Sequence, residues 1–182
     1  MKLAAFATLL LTVTPLLCAQ NAKESPNTTN PITNTVRQME QRFAKNLTGA
    51  ADEMPADKYS YKPTPDQITF AHLMAHTAEA NYAFCAAASG EAAPKENASE
   101  TDSKDVLSKA VKDSFSYCEL ALGKVDDSSL GQTVTLFDSQ ATRGAALVRM
   151  AAAWSDHYSA AAMYLRLNNL VPPSAQKATT KH

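Results

Sequence analysis

The chain has 182 residues, of which 45% are hydrophobic and 19% charged, with 5 glycines and a formal net charge of −1. That length suits one domain with terminal extensions. The near-neutral charge, without a run of Lys or Arg, argues against a polyanion-binding face, so nucleic acid is not an expected partner. Scarce glycine and abundant alanine favour helix over sheet, because glycine costs about 1 kcal/mol in a helix interior relative to alanine.

Residues 1–20 read as a secretory signal. Lys2 forms a short positive n-region, residues 3–17 are almost wholly apolar, and the small residues Cys18 and Ala19 precede polar Gln20 and Asn21. The apolar run is shorter than the roughly 20 residues of a membrane-spanning helix, so a membrane enters only if the signal stays uncleaved. Lipidation at Cys18 is disfavoured by Leu17, which is larger than the small residue usual before a lipidated cysteine. Cleavage near Ala19 to Ala22 is preferred and gives a periplasmic or secreted protein. Losing Lys2 then takes the formal charge from −1 to −2. Residues 21–32, rich in Asn, Thr and Ser and without apolar period, read as a flexible leader.

A domain is expected over residues 33–174. Val36, Met39, Phe43 and Leu47 have helical spacing, which predicts a first helix over 33–52. The segment from Met54 to Pro63 is too proline-rich to continue it. Thr64 as N-cap and Pro65 at the first helical position predict the start of a second helix. Its stripe of Phe70, Leu73, Met74, Thr77, Asn81, Phe84 and Cys85 runs to about Ala88. A third helix is expected from a Ser99 or Thr101 cap to Leu122. The polar stretch 126–140, around Val134 to Phe137, reads as a long irregular crossing, because one strand cannot make a sheet. The fourth helix, over 139–168, carries Leu147, Val148, Ala151, Trp154, Tyr158, Ala161, Ala162 and Leu165 on one face and ends before Pro172-Pro173. Residues 175–182 read as a disordered tail. Four such helices predict an all-α, up-and-down four-helix bundle.

Signal cleavage leaves two cysteines, Cys85 and Cys118. An oxidising compartment favours a disulfide between them; two buried thiols are the alternative. Cys85 is not a nucleophile activated by His76, because nine residues of helix separate them by about 13.5 Å along the axis.

His72 and His76 lie four apart on the second helix, and His157 lies on the fourth. Histidines on facing helices are the raw material of a metal site, since neutral imidazole binds zinc, iron or nickel. On a helical wheel His157 falls at the flank of its apolar stripe, His76 further out, and His72 nearly opposite. Trp154 and Tyr158 read as packing residues. No phosphate-cradling glycine loop, nucleophile elbow or paired CxxC is present.

Several segments together resemble the DinB-like superfamily. These are Glu53-Met54-Pro55-Ala56-Asp57-Lys58-Tyr59, Lys62-Pro63-Thr64-Pro65 and Phe70-Ala71-His72-Leu73-Met74-Ala75-His76. Ala80-Asn81-Tyr82-Ala83-Phe84-Cys85, Asp156-His157-Tyr158, Tyr164-Leu165-Arg166-Leu167-Asn168 and Val171-Pro172-Pro173-Ser174 complete the set. The resemblance implies a four-helix bundle, often a homodimer, with a divalent metal (Zn, Ni, Fe or Mn) held by three histidines in its best-studied members. Some relatives use the metal to activate a low-molecular-weight thiol for transfer. The metal-ligand positions match His76 and His157, but the remaining histidine position is Ala153, which cannot ligate. His72, Asp156 or Glu79 would have to complete a rearranged site, or water would occupy the place. Two functions follow. One is an exported metal-dependent enzyme of thiol transfer or hydrolysis with a degenerate ligand set. The other is a metal-free bundle that binds a small-molecule ligand or dimerises.

Overall fold

In the computed structural model the described residues are 29–95 and 97–176. The signal assigned to 1–20, most of the leader and the end of the tail lie outside them. The helices are α1 (Pro31–Glu53), α2 (Phe70–Ser89), α3 (Lys104–Leu122) and α4 (Arg143–Leu167). Strands β1 (Thr133–Leu136) and β2 (Ser139–Thr142) form an antiparallel hairpin before α4, and short 3₁₀ turns fill the connections. Among the described residues no helix is long and apolar enough to cross a membrane.

Each helix starts where side chains meet the backbone N–H groups that the first turn leaves without partners. Pro31 opens α1, two residues earlier than the spacing predicts, and the distant Asp127 caps it. The N–H groups of Ile32 and Thr33 donate to the two Asp127 carboxylate oxygens at 3.0 and 2.8 Å. The Asp127 N–H in turn donates to Asn30 Oδ1 at 3.1 Å. At the other end of α1, Lys104 Nζ donates to the carbonyls of Asp52 and Met54 at 2.6 and 2.8 Å.

The second helix begins at Phe70, not at the Thr64-Pro65 pair, which makes a turn closed by the Gln67 N–H on the Thr64 carbonyl. Thr69 is the cap, its hydroxyl accepting from the His72 N–H at 2.9 Å. The Phe70 and Ala71 N–H groups donate to the carbonyls of Tyr61 and Tyr59, so the preceding segment supplies acceptors that no local pattern reveals. Similarly, Ser103 caps α3, while Ser99 and Asp102 close a turn upstream.

The hairpin occupies the second half of the irregular crossing expected over 126–140 and the first residues of the expected fourth helix. The second strand was hidden because Ser139 to Thr142 lacks the apolar alternation that marks a strand. Thr142 ends that strand and also caps α4, its hydroxyl accepting from the Ala145 N–H at 3.2 Å. The helix therefore starts at Arg143 rather than 139.

In the bundle, α1 packs against α3 and α4, and α2 packs against the same two. Pairings fix the directions. Asn81 with Ser114 and Cys85 with Cys118 advance together, so α2 and α3 run parallel. Asp52 with Ser108 and Arg37 with the Leu122 carbonyl make α1 and α3 antiparallel. His76 beside His157 and Gly90 beside Arg143 do the same for α2 and α4. The bundle therefore runs up, down, down, up, with the connection after Gly90 crossing back along its length. Gly90 ends α2 at φ 80°, where a side chain would be strained. Gly49 is needed for another reason: a Cβ there would lie 2.9 Å from Pro173 Cγ, where the exit segment crosses α1.

The core lies between the helices around Trp154, Tyr164, Phe70, Leu47, Met74, Leu107, Leu147 and Met150, all within 2% of full burial. One polar chain crosses it. Trp154 Nε1 donates to Asn81 Oδ1 at 2.7 Å, and Asn81 Nδ2 donates to Ser114 Oγ at 3.0 Å. Cys85 and Cys118 are bonded, with Cα atoms 5.2 Å apart, tying α2 to α3.

Candidate functional site

His76 and His157 project from α2 and α4 and meet with ring centroids 5.1 Å apart and planes at 68°. The two rings differ in surroundings. The His76 side chain is 52% exposed, with its Nδ1 4.0 Å from Glu79 Oε2. The His157 ring is tucked under it, and its Nδ1 is buried without a hydrogen-bond partner among the described residues. Burial, and then the nearby His76, lower the His157 pKa to about 4, against a smaller opposing pull from Asp156. His157 is therefore a neutral imidazole at neutral pH.

His72 lies one turn before His76, its ring stacked at 6.4 Å, but it turns to the α2–α3 connection. Its Nδ1 is 2.9 Å from Glu100 Oε2. His72, Ala75, His76 and Glu79 form one side of an open cleft of about 410 Å³, and residues 97–100 form the other. Asp156 is exposed on α4 beside His157. Ala153 is partly buried against the core. Cys85 is committed to its disulfide, so it offers neither a nucleophile nor a ligand.

The candidate residues thus divide. His76 and His157 come together, His72 stands beside them but engages Glu100, and Asp156 stays on the surface. The contribution of Glu100 and its neighbours to the cleft was not foreseen. They belong to a loop without periodicity, and only the crossing between the parallel α2 and α3 brings them to His72.

As a metal centre, these residues do not fit a three-ligand divalent site. Catalytic zinc commonly takes three protein ligands, and no group of three His, Cys, Asp or Glu residues suited to a metal occurs among the described residues. A ligating histidine also normally donates its other ring N–H to an acceptor, whereas His157 Nδ1 has none among them.

The sequence profile of the DinB superfamily matches residues 40–160. The chain belongs to the DinB superfamily. Two solved structures share its fold. A DinB-like protein from Bacillus subtilis is 21% identical with a TM-score of 0.64, covering 80% of this chain and 100% of its own. A DinB-like protein from Bacillus cereus ATCC 10987 is 12% identical with a TM-score of 0.65, covering 77% of this chain and 95% of its own. At these identities the likeness concerns the fold. No curated protein sequence matches the chain.

Proposed function

We propose that this DinB-superfamily chain is an exported ligand-binding bundle in which His76 and His157 survive as a facing pair of imidazoles open to hydrogen-bonding a ligand rather than as part of a resident catalytic metal centre. The observation that carries this reading is the pair itself: two imidazoles in contact, Ala153 at the position the family resemblance assigns to a third histidine, and His157 Nδ1 without an acceptor. Export is supported by the signal-like residues 1–20 and by the Cys85–Cys118 bond, since disulfides persist in oxidising compartments. The cleft beside His72, His76 and Glu79 suits a small polar molecule that hydrogen-bonds to an imidazole and a carboxylate. A metal-dependent thiol-transfer or hydrolytic enzyme is the competing reading, and the 5.1 Å approach of the two rings favours it.

Metal retention separates the two. Tag-free protein would be incubated with zinc, nickel, manganese or iron, dialysed and assayed for metal beside a His76→Ala/His157→Ala double variant. The proposal expects substoichiometric metal in both. Near-stoichiometric metal in the natural protein, lost in the double variant, overturns it and establishes a rearranged centre.

A further inference from the structure

Among the described residues, two buried side-chain polar atoms lack partners, and both are nitrogens of α4: His157 Nδ1 and Arg143 Nε. Arg143 opens α4, fourteen residues before His157 and so about 21 Å away along the axis. Its backbone is fixed independently of its side chain, because its N–H donates to the Gln132 carbonyl at 2.8 Å. The guanidinium reaches the end of α2, where one of its terminal nitrogens lies 3.8 Å from the place a Cβ on Gly90 would occupy.

There it borders a second cleft of about 440 Å³, distinct from the one beside the histidines. Ala83, Ala86 and Ala87 of α2 form one side and Thr133 to Thr135 of β1 the other. Glu91 also lines the cleft, but its carboxylate is engaged by Lys124 Nζ at 2.6 Å. No hydrogen bond or ion pair reaches the Arg143 side chain from any described residue. The C-terminal end of α2 favours a cation nearby, which explains a positive charge here but leaves Nε without an acceptor. A guanidinium stays charged in proteins and presents a planar fork of N–H donors. The group that matches this fork is a planar carboxylate bound by two parallel hydrogen bonds.

We propose that this cleft binds a small organic carboxylate, with its oxygens on Arg143 and a short apolar tail lying over Ala83, Ala86 and Ala87. One guanidinium balances one negative charge, and the alanine methyls give the tail an apolar floor.

Hexanoate is a suitable probe, followed by amide NMR on the disulfide-intact protein at constant ionic strength. Saturable shifts in residues 83–90 and 133–135 are expected, while hexylamine, of similar size and opposite charge, leaves them unmoved. Arg143→Ala should weaken hexanoate binding at least tenfold. Ala86→Leu, which fills the floor and leaves the guanidinium intact, should weaken it similarly and covers the case in which the first variant folds poorly. Absence of saturable shifts, equal shifts with hexylamine, or unchanged affinity in a folded Arg143→Ala protein would overturn the proposal.

Discussion

Two ionisable side chains, half-buried His157 and buried Glu40, oppose each other in how they tie stability to pH. His157 has its pKa lowered from 6.5 to about 4, by burial first and then by His76. Between those values the unfolded chain takes up a proton that the folded protein refuses. Its contribution is therefore present above about pH 6.5 and is lost as pH falls towards 4, amounting to about 3 kcal/mol over the full interval. Glu40 acts the other way. It occupies the inward stripe of α1 with Val36, Phe43 and Leu47 and is only 3% exposed. Burial, and then the Glu119 carboxylate, raise its pKa from 4.5 to about 7. Its contribution is present below about pH 4.5 and is lost as pH rises through 7. The natural protein should thus vary little in stability between pH 4.5 and 7, because one loss offsets the other. His157→Phe should remove the acid-side loss, so its stability relative to the natural protein rises as pH falls from 6.5 to 4. Glu40→Gln should show the mirror image, with a relative gain as pH rises from 4.5 to 7. Urea unfolding at several pH values reads both. A pH-independent difference for His157→Phe would refute the buried neutral assignment, and one for Glu40→Gln would refute the buried carboxylic acid.

At the scale of helices, the chain Trp154–Asn81–Ser114 joins α4, α2 and α3 by side-chain hydrogen bonds inside the core. Asn81 is 1% exposed, so Asn81→Ala leaves buried Trp154 Nε1 without its acceptor and opens a cavity, while Ser114 keeps its bond to the Val111 carbonyl. A loss of about 3 kcal/mol or more is expected, since an unsatisfied buried group costs roughly 1–3 kcal/mol before any cavity term. Trp154 fluorescence during denaturant unfolding measures it, and a loss under 1 kcal/mol would mean that the network contributes little. Asn81 also shows what was legible. Its place on the inward stripe of the second helix followed from periodicity, as did those of Phe43, Leu47, Trp154 and Tyr158, because helical spacing is local information. The start of α2 was misplaced by five residues, since the carbonyls of Tyr59 and Tyr61 that receive its first N–H groups come from a packed segment. The hairpin was missed because Ser139 to Thr142 lacks apolar alternation and pairs through its backbone and polar side chains, Gln140 Nε2 donating to Thr135 Oγ1. In the site, the meeting of His76 with His157 was foreseeable from the family resemblance. Glu100 on His72 and the stranded Nε of Arg143 were not, because both depend on where connections between helices lie in space.

The whole molecule runs up, down, down, up, and its parallel neighbours α2 and α3 are joined by a connection that must cross the length of the bundle. Parallel neighbours cannot be linked by a short turn, so this connection places residues 97–100 over the His72–His76 face and forms the cleft as a consequence of topology. The Cys85–Cys118 bond pins those two helices, closing a span of 33 residues that contains the whole crossing. Constraining the unfolded chain over such a span stabilises the folded state by about 3–4 kcal/mol in the chain-entropy account. Both cysteines are fully buried, so reductant should act slowly on the folded protein and quickly in denaturant. Mass measurement should give about 2 Da more after reduction under denaturing conditions, one hydrogen for each sulfur. Protein reduced in this way and refolded with its thiols kept reduced should unfold at lower denaturant concentration. Two free thiols titrated in denatured, unreduced protein from an oxidising compartment would show that the bond does not form. A bond that forms without shifting the unfolding midpoint would show that packing between α2 and α3 already holds the crossing in place.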